Sequence, residues 1–349
     1  MTYEYERVLT PSAGLRLHLN ENTAGCSPKV IEALQRLSRE EAAFYPDYDA
    51  AVRACADRLG VAEDQVLLTN GLDEGILATA IAALRGSPAD SPYEAIVVVP
   101  AFDMYAACTD ALGGRVIEVT LGADFRFPLD DVLSAIGPRT KVIFLTNPNN
   151  PTGQLIPREA LLTIARAAPA ASIFVDEAYA DFSGDTLIGS PDMPELPNIV
   201  VGRTFAKAYG LAALRAGALV SAVGTLTPIR RIVPPYSINA CAAIALPIAV
   251  ADEEYRMWYL DQVCRSRELL YAALDRLRVG YWRSAANFVL VNFGMSAPSV
   301  IKALAAREIY VRDRSRDPGC DGCVRITTGV VEHTTACISA LEEILCERP

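Results

Sequence analysis

Histidine is scarce in this chain: His18 and His333 are the only two among 349 residues, and neither sits at the centre of a motif. A histidine-based triad or an imidazole-built metal cluster is therefore a poor reading. An excess of positive charge is also missing. Thirty-two basic residues against forty-two acidic ones leave a net charge of -10, the wrong sign for a general binder of nucleic acid or of an anionic membrane. Any anionic ligand must then meet a locally positive pocket. The most apolar stretches, Ala95 to Pro100 and Ile238 to Ala251, fall short of the ~20 apolar residues of a membrane span. Met1 to Arg7 carries no apolar core of a signal peptide, so a cytoplasmic location is expected. Nine cysteines, an odd number scattered from Cys26 to Cys346, suit reduced thiols better than a disulfide framework. Cys320-Asp321-Gly322-Cys323 is a lone pair without the two further ligands of a structural zinc site, and no metal is expected.

What is present is ample core material, with 51% hydrophobic and 21% charged residues, arranged as alternating strand-like and helix-like segments. That alternation is the mark of an α/β chain. Ser27-Pro28 reads as a cap and first helical position opening a helix through Leu37, and a second helical run spans Tyr48 to Leu59. Apolar runs follow at Val66 to Thr69, Ile96 to Val99, Val116 to Val119, Val142 to Thr146, Ile173 to Val175, Ile199 to Val201 and Gly217 to Val220. Continuous Val/Ile/Leu runs predict strands covered on both faces, as in a mostly parallel sheet. From about Pro235 the pattern shifts to long helices, Glu254 to Leu277 above all, and then to short strands at Phe288 to Val291, Ile309 to Arg312 and Val324 to Thr327. This divides the chain into a large domain over residues 36–236 and a smaller α+β domain made of 1–35 plus 237–349.

Three turns could carry chemistry. The strand ending at Thr69 runs into Asn70-Gly71-Leu72-Asp73-Glu74 and a helix, whose first N–H groups are free to bind an anion; an ordinary strand-to-helix turn looks the same. Asn147-Pro148-Asn149-Asn150-Pro151-Thr152-Gly153 fixes paired amides at a strand's carboxyl end, where open α/β sheets bind ligands, although such clusters are also plain turns. Asp176-Glu177-Ala178-Tyr179 ends one strand and Lys207 lies beyond the next. A carboxylate, a phenol and a lysine at one sheet edge are the parts of a Schiff-base site, the amine bonding the aldehyde of pyridoxal phosphate and the aspartate keeping its pyridine nitrogen protonated. Singly, each has a bland meaning: a helix cap, a core edge, a surface lysine.

Taken together, these motifs resemble the class I/II pyridoxal-phosphate aminotransferases, and within them the histidinol-phosphate aminotransferases. The resemblance runs from Leu19-Asn20-Glu21-Asn22 through Tyr45-Pro46, the three turns above and Lys207 to Arg215, and closes with Val311-Arg312-Asp313-Arg314-Ser315 and Cys323 to Gly329. It implies the fold of type I transferases, a large and mostly parallel seven-stranded sheet domain with a smaller α+β domain. It also implies roles. Lys207 would bond the cofactor and shuttle the substrate's α-proton, and Asp176 would pair with the ring nitrogen. Asn150 and Tyr179 would hold the ring hydroxyl, and Phe102 would stack on the ring. The amides of Gly71 and Leu72, with Thr204 and Arg215, would surround the cofactor phosphate. Tyr45 would reach the phosphate in the neighbouring subunit, which makes the expected assembly a homodimer with shared sites. Arg325 would clamp an α-carboxylate as a fork and Arg312 would meet a distal phosphate; Asn20 and Asn287 also match the family's substrate-side pattern. From Lys302 to Arg325 six basic residues face four acidic ones, against the sign of the whole chain.

Three departures stand out. Ala206 precedes the lysine where the family usually has a phosphate-binding serine. Phe102 replaces a more usual tyrosine, and Leu9-Thr10-Pro11-Ser12 lacks an aromatic residue that in the family closes over the partner's substrate. The expected reaction is transamination of histidinol phosphate with 2-oxoglutarate. The short N-terminal arm keeps two alternatives open on the same fold: an aromatic or specialised-metabolism amino acid as donor, or decarboxylation of a phosphorylated amino acid. A cofactor-binding regulator without turnover would need a basic DNA-binding module, for which the residues before Leu19 leave no room.

Overall fold

A computed structural model describes residues 11–346; Met1 to Arg7, and Leu9 and Thr10 of the N-terminal arm, lie outside them. Two sheets organise the chain. The larger contains β2 (Val66–Asn70), β3 (Glu94–Val99), β4 (Arg115–Thr120), β5 (Thr140–Thr146), β6 (Ser172–Asp176), β7 (Ile199–Thr204) and β8 (Ala216–Val220), in the order β2-β8-β7-β6-β5-β3-β4. Strands β4, β3, β5, β6 and β7 are mutually parallel, whereas β8 runs antiparallel to both β7 and β2. The smaller sheet has the order β1-β11-β12-β10-β9, from β1 (Leu15–Leu17), β9 (Gly280–Trp282), β10 (Phe288–Asn292), β11 (Ile309–Asp313) and β12 (Cys323–Thr327).

All seven apolar runs become strands of the large sheet, because their Val, Ile and Leu side chains are covered on both faces. One core joins Ile96, Ile143, Ile173 and Val201 to Leu161 and Ile164 of the helix Arg158–Ala167. Another joins Val97, Phe144, Phe174 and Leu219 to Ile76 and Leu84 of the helix Gly71–Leu84. The smaller sheet rests on the helices Glu253–Leu277, Ala297–Ala305 and Val331–Cys346 through Leu270, Val300, Ile326 and Leu341.

Two corrections concern helices. The first helix, capped by the Ser27 side chain, ends at Leu34 rather than Leu37, since Arg36 N–H and Leu37 N–H turn back to Ala33 O and Leu34 O in tighter turns. The helix Ala240–Ala251, assigned by sequence to the smaller domain, packs with Val66, Leu68, Ala216 and Ala218 on the large sheet. Its face of Ala242, Ala245 and Leu246 is small enough to sit flat on those strands, and the helices Pro28–Leu34 and Asp49–Leu59 share that contact. No helix of the described residues is long and apolar enough to cross a membrane.

Candidate active site

The carboxyl ends of β5, β6 and β7 deliver three motifs to one edge of the large sheet, the place where such sheets bind ligands. A cavity of about 260 Å³ opens there, between that edge and the smaller sheet. Its walls carry Asp176, Tyr179, Asn150, Thr204, Lys207, Leu72, Phe102 and Arg215 from the large sheet and its loops, with Asn20, Arg312 and Arg325 from the segments of the smaller sheet.

Lys207 is half-buried, and its Nζ donates to Leu19 O at 2.9 Å. Burial, and then the Arg325 charge, push its amine down to about 8, so a neutral nucleophile is accessible near physiological pH. Asp176 is pushed up to about 6 by burial, against the stabilising N–H of Ala178 and the hydroxyl of Tyr105. Tyr105 donates to Asp176 Oδ2 at 2.7 Å while Ala178 N–H donates to Oδ1 at 2.9 Å. The Tyr105 ring stacks on Phe144 at 4.9 Å between centroids, so the carboxylate is held from behind by a rigid phenol.

Tyr179 accepts a hydrogen bond from Asn20 Nδ2 at 3.0 Å. Asn20 itself adopts a left-handed φ of 55°; its N–H donates to Thr327 Oγ1 and its Oδ1 accepts from the same hydroxyl. Arg325 donates through Nη1 to Asn150 Oδ1 and through Nη2 to His18 O, both at 2.6 Å. Two of five guanidinium N–H groups are thereby used to fix its plane, and the others remain for a ligand. Burial first, then Arg314 and Arg312, lower Arg325 to about 10.

At the other end, Arg215 pairs with Asp73 at 2.6 Å and its carbonyl accepts the Gly71 N–H at 2.9 Å. Gly71 has φ 72°, and a Cβ there would collide with the Arg215 guanidinium. The bare glycine therefore lets arginine and helix start converge on one point, a cradle suited to a phosphate. Thr204 Oγ1 accepts from Ala206 N–H at 3.2 Å.

Gly71, Asn287 and Tyr45 do not themselves line this chain's cavity. The Gly71 N–H is spent on Arg215, so the donors there come from the amides beyond it. Asn287 is fully buried, and its Nδ2 donates to Asn20 O at 3.1 Å, supporting Asn20. Tyr45 is 78% exposed, outside the cavity, and stacks on Tyr236 at 4.2 Å. Sequence reasoning missed Tyr105 and Arg314, which also line the cavity. Cys320 and Cys323 are both buried beside Leu290 and Phe125, and the described residues hold no group of three or more His, Cys, Asp or Glu placed to bind a metal ion.

The donor set fits the pyridoxal phosphate that the resemblance implies: a half-buried amine of lowered basicity, a buried carboxylate and a glycine-lined helix start with an arginine. Comparison with known proteins agrees. The pattern of the family described as Aminotransferase class I and II matches residues 13–341. The chain is 32% identical over 348 residues to histidinol-phosphate aminotransferase 2 of Carboxydothermus hydrogenoformans, covering 98% of this chain and 94% of that one. It is 33% identical to the histidinol-phosphate aminotransferase of a Geobacillus species, over 96% and 91% of the two chains. Among solved structures, the histidinol-phosphate aminotransferase of Sinorhizobium meliloti in complex with pyridoxal-5'-phosphate superposes with a TM-score of 0.85 at 24% identity, over 95% and 91% of the chains. The L-threonine-O-3-phosphate decarboxylase of Porphyromonas gingivalis has the same fold at a TM-score of 0.79 and 23% identity, over 95% of this chain and 100% of that one. With a match along nearly its whole length and the lysine, carboxylate and helix start at the expected sheet edge, the chain belongs to the class I and II aminotransferases.

Proposed function

We propose that the chain transfers the amino group of histidinol phosphate to 2-oxoglutarate, using pyridoxal phosphate, in a cytoplasmic homodimer with shared sites. The observation that carries this reading is the pair Arg312 and Arg325 lining the same cavity as Lys207. A donor with a phosphate meets two cations there, and the co-substrate presents a carboxylate to the same groups. The names of the relatives at 32% and 33% identity support the donor.

Lys207, Asp176, Asn150, Tyr179, Thr204, Arg215, Phe102 and the Leu72 amide would hold the cofactor. When bound, pyridoxal phosphate supplies an aldehyde for amine exchange and a cationic ring that withdraws electrons from the donor's α-carbon. The protein's part is acid–base and positional. The Lys207 amine, neutral over part of the physiological range, would take the proton from the donor's α-carbon and hold it for return. Asp176, fixed by Tyr105 and the Ala178 N–H, holds a proton at the pyridine nitrogen. Asn20 orients the Tyr179 hydroxyl toward the ring oxygen. Arg325, with its plane set by Asn150 and the His18 carbonyl, binds the donor's anionic end and thereby brings the α-carbon to Lys207.

The test is a single-turnover absorbance assay on cofactor-loaded protein, offering histidinol phosphate, phenylalanine, tyrosine and glutamate separately. Fast conversion of the cofactor to its amine form by histidinol phosphate is expected. Conversion by an aromatic amino acid alone, or release of carbon dioxide from O-phosphothreonine, would overturn the donor assignment while leaving the family intact.

A further inference from the structure

One guanidinium at the anion end of the cavity has no task in this scheme. Arg314 follows β11, is 8% exposed, and lines the cavity beside Arg312 and Arg325. Its backbone is anchored: Arg314 N–H donates to Cys323 O, Asp317 N–H to Arg314 O and Cys320 N–H to Asp317 O, each at 3.0 Å. Successive turns thus fix loop 314–323, and the guanidinium itself is ion-paired with Asp317. Its Nε–H nevertheless has no hydrogen-bond partner, and the same holds for the Nε–H of Arg325. Buried donors are nearly always paired in folded proteins. Two buried guanidiniums along one cavity thus keep hydrogen-bonding capacity that the protein's own acceptors do not saturate.

The charge of that acceptor follows from the surroundings. Arg314 and Arg312 both disfavour the charge on Arg325, so three cations crowd one wall. Asp317 is the ion-pair partner of Arg314; burial pushes its carboxyl up, and the Arg314 charge opposes that. A phosphate ester offers two charges and three oxygens to such guanidiniums, where a carboxylate offers one charge and two oxygens. We propose that Arg314 is a third anion-binding residue of the donor pocket, with Asp317 as the positioning residue that tempers its charge, and that the pair tunes the pocket toward a phosphomonoester over a carboxylate. The proposal rests on the transamination reading only for the identity of the donor. It also implies a competition: phosphate must share Arg314 with Asp317, so weakening Asp317 strengthens the pocket.

The experiment is calorimetric titration of cofactor-loaded enzyme, in which the cofactor's own phosphate site is filled, with inorganic phosphate and separately with acetate. Arg314→Gln is expected to weaken phosphate about tenfold or more while acetate changes by less than about threefold. Arg314→Lys, which keeps the charge without the fork, falls between. Asp317→Asn is expected to move the other way and tighten phosphate by about threefold or more. Unchanged cofactor absorbance and circular dichroism show that each variant is folded. Absence of phosphate binding by the wild-type enzyme, equal losses for phosphate and acetate, or a loss on Asp317→Asn matching that of Arg314→Gln would overturn the proposal and leave the pair a structural clasp. The two readings fail separately: an enzyme that ignores histidinol phosphate but keeps this discrimination loses its donor, not the role of Arg314. Turnover of histidinol phosphate with an unaltered KM in Arg314→Gln removes that role.

Discussion

At the scale of single residues, the protonation of Lys207 decides when the site can be charged. Only the neutral amine attacks an aldehyde, and burial holds this one down to about 8. Capture of pyridoxal phosphate by the apoenzyme should therefore rise with pH below that value and level off above it. Stopped-flow capture rates across the alkaline range check this, and a midpoint near the ordinary lysine value of ~10.4 would contradict the buried environment. Lys207, Asp176 and Asn150 were legible in the sequence because each sits in a short motif at the end of an apolar run. Tyr105 was not, since its hydroxyl meets Asp176 across 71 positions and nothing in its own neighbourhood announces the contact. The contact of Asn287 with the Asn20 carbonyl was equally hidden, since it joins residues 267 positions apart.

At the scale of elements, the start of the helix Gly71–Leu84 is held against β8 by the absence of a side chain. A Cβ on Gly217 would lie 2.7 Å from both Gly71 C and Leu72 N, and neither backbone atom can swing away. Gly217→Ala should push the helix start off the sheet, cost about 1–3 kcal/mol of stability and weaken pyridoxal phosphate binding, as thermal melts and cofactor titration of the apoenzyme would show. Gly224→Ala, with nothing within 4 Å of its added carbon, is the control that should leave both unchanged. The strands of the large sheet were legible as apolar runs, and each is extended in the structure wherever the ladder continues into polar residues such as Glu94, Arg115 and Asp176. The two strands missed, β1 and β9, are three residues long and lie at opposite edges of the smaller sheet. A half-covered strand of that length has too few residues to show a period.

At the scale of the molecule, an exposed aromatic face formed by Phe44, Tyr45 and Tyr236 supports the proposed dimer and makes a test of shared sites possible. Lys207→Ala and Tyr45→Ala chains should each capture cofactor poorly when it is limiting. Mixed and allowed to exchange subunits, they should regain activity, because roughly a quarter of the sites in a random mixture combine an intact lysine with an intact partner tyrosine. No recovery in the mixture, with exchange verified by mass spectrometry, would place Tyr45 outside the partner's site. The pairing of β1 with β11, Leu15 opposite Ile309, has a consequence for synthesis. The loop that carries Leu19 and Asn20 emerges from the ribosome first, yet its supports, Thr327 and Arg325, come 307 positions later. Until those later residues are made, Lys207 lacks the settled Leu19 carbonyl and the pocket lacks the wall that carries Arg312 and Arg325. The finished pocket therefore depends on contacts between the first and last strands of the smaller sheet's central ladder, which close only after β12 has been made.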